Sequence, residues 1–207
     1  MADNTSHPCP NHLIHQHTFP ELGIGTGGGS NQQPYFRAMV FFNKKPGLTD
    51  GFFHEHWKSV HADLTMQVDD VGVELVRYVQ FHQERKDIEA MAPLLEASGG
   101  TMSIALYDGA AEFHARSAEA FVRFVKNVYG SSHLVGCGTR FVDLVKGYHV
   151  MVGYDNLIYG AGIPGMGKDG IMPGDSRLNY KKVDTEGKGE KGCERTDSGT
   201  EEVSRTA

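Results

Sequence analysis

The chain has 207 residues, 20 of them basic and 26 acidic, for a net charge of −6; it is long enough for one ordinary domain with tails and has no basic stripe to attract nucleic acid. No apolar run approaches the roughly 20 residues of a membrane-crossing helix, and the start, MADNTSHPCPNHL, lacks the basic end and apolar core of a secretory signal. Three scattered cysteines (Cys9, Cys137 and Cys193) exclude a disulfide framework and suit a reducing compartment, so a cytoplasmic protein is expected.

Residues 1–34 are rich in Gly, Pro, Asn, Gln and His and read as a flexible leader. Its GIGTGGGS run has no strand before it and Pro34 soon after, so it is not a phosphate loop. His7, Cys9, His12, His15 and His17 match no structural zinc spacing. YFRAMVFFNKK, ended by Pro46-Gly47, predicts a strand, and Thr49 or Asp50 then caps a helix running to about Met66. VELVRYVQFH predicts a second strand, and RKDIEAMAPLLEAS a short helix that Pro93 interrupts. MSIALYDGAAEFHA predicts a third strand with a glycine irregularity, and SAEAFVRFVKNVY an amphipathic helix with Phe121, Phe124, Val125 and Val128 on one side. RFVDLVKGYHVMVGYDNLIY closes the domain as a long strand or strand pair. Residues 161–207 form a Gly-rich and then charged tail, in which Ile163, Met166, Ile171 and Met172 suit a lid or a dimer arm.

The domain is thus placed at residues 35–160, with the order β-α-β-(α)-β-α-β: an α+β, ferredoxin-like antiparallel sheet with helices on one face. The strands are apolar on both faces, which predicts a homodimer that buries the uncovered one.

The first helix concentrates His54, His56, His61 and the chain's single tryptophan, Trp57. At about 100° per residue, Phe53, Trp57, Val60 and Leu64 fall on one sheet-facing stripe, with His61 and His56 on its two shoulders. His54 lies further out and is expected in solvent. From spacing alone, His61 is either bonded to backbone or turned toward a pocket. Tyr78 and His82, four apart on the second strand, share a face that is either the pocket's or the dimer's. Asp143, in an apolar strand, either pairs with a cation or orients an imidazole. Phe41, Phe113 and Phe141 suit either core or the flat walls of a pocket.

KKPGLTDGFFHEHWKSVHADL resembles the signature of the EthD domain family: strand, Lys-Pro-Gly-Leu, a helix with His-x-x-Trp, then Val-His and Leu. RYVQFH, YDGAAEFHARSAEAFVRFVKN and RFVDLVK fit its later segments, so the resemblance covers about residues 35–154. It implies a dimeric α+β barrel, a fold shared with cofactor-free monooxygenases and polyketide cyclases. It also implies a fungal polyketide-tailoring type that works as decarboxylase, dehydratase or cyclase. On that reading Trp57 anchors the helix and His61 points into the gap between helix and sheet. His61, Tyr78, His82 and Asp143 become the candidate catalytic residues, and Phe41, Trp57, Phe113 and Phe141 the candidate substrate walls. No cofactor or metal is expected. A histidine suits acid–base work near neutral pH, and a titration between roughly pH 5.5 and 7.5 is expected for it. The competing readings are a cofactor-free anthrone-type monooxygenase and a non-catalytic barrel that binds a small aromatic ligand.

Overall fold

The alternating apolar positions of the strands do become one antiparallel sheet. The computed structural model describes residues 17–23 and 31–179. Strands β1 (Phe36–Phe42), β2 (Leu75–His82), β3 (Gly109–Ala115) and β4 (His149–Gly153) lie in the order β2-β3-β1-β4, all neighbours antiparallel. This is the ferredoxin-like order. Register pairs Ala38 with Phe113 and Phe113 with Tyr78, so these side chains share a face with Val40, Phe42 and Ala111. That face carries the core, in which Ala38, Phe42, Phe113 and Ala115 are buried. The opposite face carries Met39, Phe41, Val79 and Phe81, together with Arg37, which is paired to Glu112 and Asp155 at 2.7 Å each.

Thr49 accepts a hydrogen bond from the Phe52 amide and so caps α1 (Asp50–His56). The helix continues through a π-helical turn (Trp57–His61) into α2 (Ala62–Met66) without leaving helical backbone angles. This turn changes which residues face inward. Phe53 and Trp57 are buried as the stripe predicts, but Val60 is 48% exposed, while Thr65 is buried. A π turn adds one residue to the helix period. The inward positions therefore run 53, 57, 61, 65, and His61 moves from the shoulder to the inward side.

Short α3 (Val71–Glu74) leads into β2, and α4 (Arg85–Ala90) and α5 (Ala92–Ala97) follow it, separated at Met91 as Pro93 requires. Ser117 caps α6 (Ala118–Gly130), which buries Phe124 and packs Phe121, Val125 and Val128 beside it. A further helix, α7 (Ser132–Phe141), capped by Ser131, was not expected. It corrects the reading of RFVDLVK as a strand. Arg140 and Phe141 end α7, Val142 makes a single bridge to Lys44, and residues 144–146 form a turn. The final strand starts only at His149, as an exposed edge.

The compact unit runs from Asn31 to Gly170. Its ends are tied together by amides: Asn31 Nδ2 donates to the Leu157 and Asp169 carbonyls, and Gln33 Nε2 to the Lys168 carbonyl at 3.1 Å. In the second unit, Arg177 forks onto Glu21 and lies over the Phe19 ring. Of the expected leader and tail, residues 17–23, 31–34 and 161–179 are described, with Ile171 buried and Met172 exposed; the rest, with His7, Cys9, His12, His15 and Cys193, fall outside the described residues. No helix among the described residues is long and apolar enough to cross a membrane.

Candidate active site

Helix α6, helix α7 and the π turn stand over the sheet without filling the space beneath them. The cavity left is about 370 Å³, within the range of small-molecule sites. Its floor is Val40, Ala111, Phe113 and Tyr78; its walls include Trp57, Phe124 and Phe141. At its mouth stand Tyr129, Val135, Leu144 and Tyr148, all of them exposed. Among the described residues no Asp, Glu, Lys or Arg lines it, and its polar groups come from His61, Thr65, Tyr78, Thr139 and the two mouth tyrosines.

His61 meets the edge of the Phe141 ring at 4.9 Å, and its Nδ1 is buried with no hydrogen-bond partner. Burial, aided by the nearby charge of His56, lowers its pKa to about 4. The imidazole is therefore neutral at neutral pH, which moves the expected titration well below the range of an ordinary histidine. Folding consequently carries a pH dependence of defined sign. Above pH 6.5 the group is neutral in both states and costs nothing; below it, only the unfolded chain protonates freely, and the loss is complete near pH 4. Full protonation costs at most about 3 kcal/mol. His56, His82 and His114 are shifted in the same direction, each mainly by burial. Chemical denaturation at pH 7 and pH 4 should thus show a smaller loss of stability for His61→Gln than for the parent chain. An equal loss in both would contradict the buried neutral imidazole.

Tyr78 stacks flat on Phe113, with ring centroids 4.8 Å apart and planes 6° from parallel. Burial raises its phenol pKa, against hydrogen bonds from Gln80, Trp57 and Thr65. Trp57 is 1% exposed and contacts Phe42, Phe53 and His82, so it anchors the helix and also forms part of the cavity wall. The indole lies so close to β3 that a Cβ on Gly109 would stand 2.5 Å from Cζ3. Asp108-Gly109, legible in the sequence only as a turn or irregularity, is thus the glycine that admits Trp57. Gly109→Ala is expected to destabilise the fold by roughly 1–3 kcal/mol through overpacking, measured as a lower midpoint in urea. An unchanged midpoint would mean that the indole has room to move.

The other expected residues divide. Phe113, Phe141 and Trp57 line the cavity beside His61 and Tyr78. Phe41 does not. It points to the opposite sheet face, against Tyr107 at 5.1 Å, and its neighbour Phe42 takes the cavity side. Asp143 is not on a strand, and its carboxylate accepts from the Val145 and Lys146 amides, so it holds a turn rather than an imidazole. His82 shares the helix-covered face with Tyr78 but lies behind Trp57, outside the cavity lining. His54, expected in solvent, is half-buried with its Nδ1 2.8 Å from Nδ1 of His82. Two residues passed over in the sequence also matter. Thr65 lies one helical turn after His61, and Gln80 sits between Tyr78 and His82 on the same strand face; spacing alone pointed to both.

No curated protein matches the chain. The family model described as the EthD domain matches residues 45–144, from the loop before α1 to the turn after α7. This span, just under half of the chain, contains Trp57, His61, Thr65, Tyr78, Phe113 and Phe141, and over it the chain is similar to the EthD domain family.

Proposed function

We propose that the chain is a cofactor-independent tailoring enzyme that acts on an aromatic or polyketide intermediate, removing carbon dioxide or, by the same proton transfers, water. The observation that carries this reading is that a neutral histidine and a tyrosine line one cavity with flat aromatic walls and no charged side chain. A carboxylic acid β to a carbonyl, or ortho to a phenol, entering that cavity leaves its hydration behind and finds no lysine or arginine. His61 takes the acid proton. The C–C bond then breaks, carbon dioxide leaves, and the electron pair moves onto the conjugated carbonyl. Tyr78 donates a hydrogen bond to the oxygen where charge collects, and the imidazolium returns its proton to carbon. The carboxylate left when His61 takes that proton raises the imidazole's pKa, so the group charges only when substrate is present. Dehydration or cyclisation uses the same acceptor and donor, with hydroxyl rather than carboxyl as the group that departs.

Mass spectrometry of phenolic polyketide acids incubated with the protein tests the reading. Loss of carbon dioxide or of water supports it. Uptake of oxygen to a quinone would favour the monooxygenase alternative, and tight binding with no product would make the chain a binding protein.

The open sheet face also supports a homodimer. Phe81 and Met151 are 57% and 62% exposed there, beside Phe41 and Met39, a stretch of apolar surface that monomers rarely keep wet. Light scattering at micromolar concentration is expected to give twice the chain mass, and Phe81→Lys with Met151→Lys to give the monomer. A monomeric parent chain would remove the barrel arrangement.

A further inference from the structure

Behind the cavity floor, four side chains form a hydrogen-bond chain in which every donor is fixed. The fixed point is the carbonyl of Trp57. In the π turn it accepts from the Ala62 amide and still has a lone pair for Gln80 Nε2, 3.0 Å away. A carbonyl only accepts, so the atom facing it must be the amide nitrogen of Gln80. The second hydrogen of that nitrogen goes to the Tyr78 hydroxyl oxygen at 2.9 Å. Gln80 Oε1 is then left to accept from His82 Nε2 at 3.2 Å, which puts the hydrogen of His82 on that nitrogen. Neutral His82 thus offers a bare Nδ1, and His54 donates to it across 2.8 Å. The indole of Trp57 packs on His82, with centroids 4.3 Å apart, and keeps the imidazole in place. Since the Tyr78 oxygen already receives a hydrogen from Gln80, its own hydrogen must go elsewhere. Thr65, on the same cavity lining, gives its own hydrogen to the His61 carbonyl at 2.7 Å.

We propose that Gln80, held by His82 and His54, is a positioning residue that makes Tyr78 a one-way hydrogen-bond donor to the cavity, selecting aromatic ligands that present a carbonyl oxygen there. The inference rests on the cavity being the substrate site, and it adds the ligand's polarity: an acceptor at Tyr78, not a donor. A ligand carbonyl accepts the Tyr78 hydrogen. A ligand hydroxyl that needs an acceptor finds the tyrosine oxygen already occupied. Removing Gln80 therefore weakens the donation to ligand.

Fluorenone and fluorene, the same flat ring system with and without a carbonyl, separate these effects. Binding is read by tryptophan quenching, and the hydrogen bond by the infrared carbonyl stretch of bound fluorenone. The parent protein is expected to bind fluorenone about tenfold tighter than fluorene, as one hydrogen bond to a buried donor gives, with the stretch shifted to lower frequency. Tyr78→Phe should abolish both the preference and the shift. Gln80→Leu, which keeps the side chain's size, should cut the preference several-fold and return the stretch toward its value in hydrocarbon, while fluorene affinity stays as it was. His82→Phe retains a ring against Trp57 and releases Gln80 Oε1, so it provides a second route to the same loss if Gln80→Leu does not fold. A preference and shift that survive both Gln80→Leu and His82→Phe, yet vanish in Tyr78→Phe, overturn the chain and leave the cavity reading standing. Failure of the parent protein to bind either compound overturns both.

Discussion

His61→Ala is expected to cut turnover by at least about a hundredfold while the protein stays folded, the usual cost of losing a positioned proton carrier. The imidazole lies on the inward side of the helix with an unpartnered Nδ1 and lines the same cavity as the Tyr78 hydroxyl. Because burial holds its pKa near 4, kcat/KM should stay level through pH 6 and fall only as pH drops toward 4, where the free protein's imidazole takes up a proton. His54→Ala does not serve as a neutral control, since His54 holds His82. His133, exposed on α7, does, and His133→Ala should leave turnover unchanged. Steady-state kinetics across pH decide the matter. Turnover within a few-fold of normal in His61→Ala, with Tyr78→Phe inactive, would move the chemistry to the sheet and leave His61 as a wall.

Trp57→Ala is expected to lower stability by about 3–5 kcal/mol, the cost of emptying a fully buried large aromatic site. The indole is in contact with Phe42, Phe53 and His82 and fits against Gly109, so the neighbours cannot close the gap without moving β3 or the helix. It also forms a wall of the cavity. The variant should therefore show a lower urea midpoint, and any kinetic loss should follow the unfolded fraction or weakened ligand binding. A midpoint unchanged from the parent chain would show that the helix is held to the sheet by something else.

The sheet and its coverage were legible because period-2 strands and the α6 stripe are local patterns, each complete within a few residues. Tyr78 and His82 came to one face by alternation alone. Phe41 was misplaced because Phe41 and Phe42 are adjacent and equally apolar, so parity is set by pairing with β3 and β4, which the sequence does not print. The inward turn of His61 was expected from the family resemblance, whereas helical spacing placed it on a shoulder. A stripe drawn at a constant angle puts Val60 inside, and the π turn that reverses this has no compositional mark. Helix α7 was missed because SSHLVGCGTRF has two helix-weakening glycines, although Leu134, Cys137 and Phe141 do keep the spacing of a buried stripe. Asp143 then fell into a turn rather than a strand for the same reason. The pairing of His54 with His82 spans 28 positions and depends on the approach of helix to sheet, a long-range fact that no window contains.

On the proposed function, a flat aromatic acid enters the uncharged cavity and meets His61. Nitrogen-15 NMR of histidine-labelled protein, titrated with 1-hydroxy-2-naphthoic acid, tests it most directly. The His61 imidazole signals are expected to shift on binding, and its titration to move up from about pH 4 as the acid group arrives beside it, while His114 and His149 stay where they were. Unmoved His61 signals, with changes at His114 or His149 on the open sheet face, would contradict it.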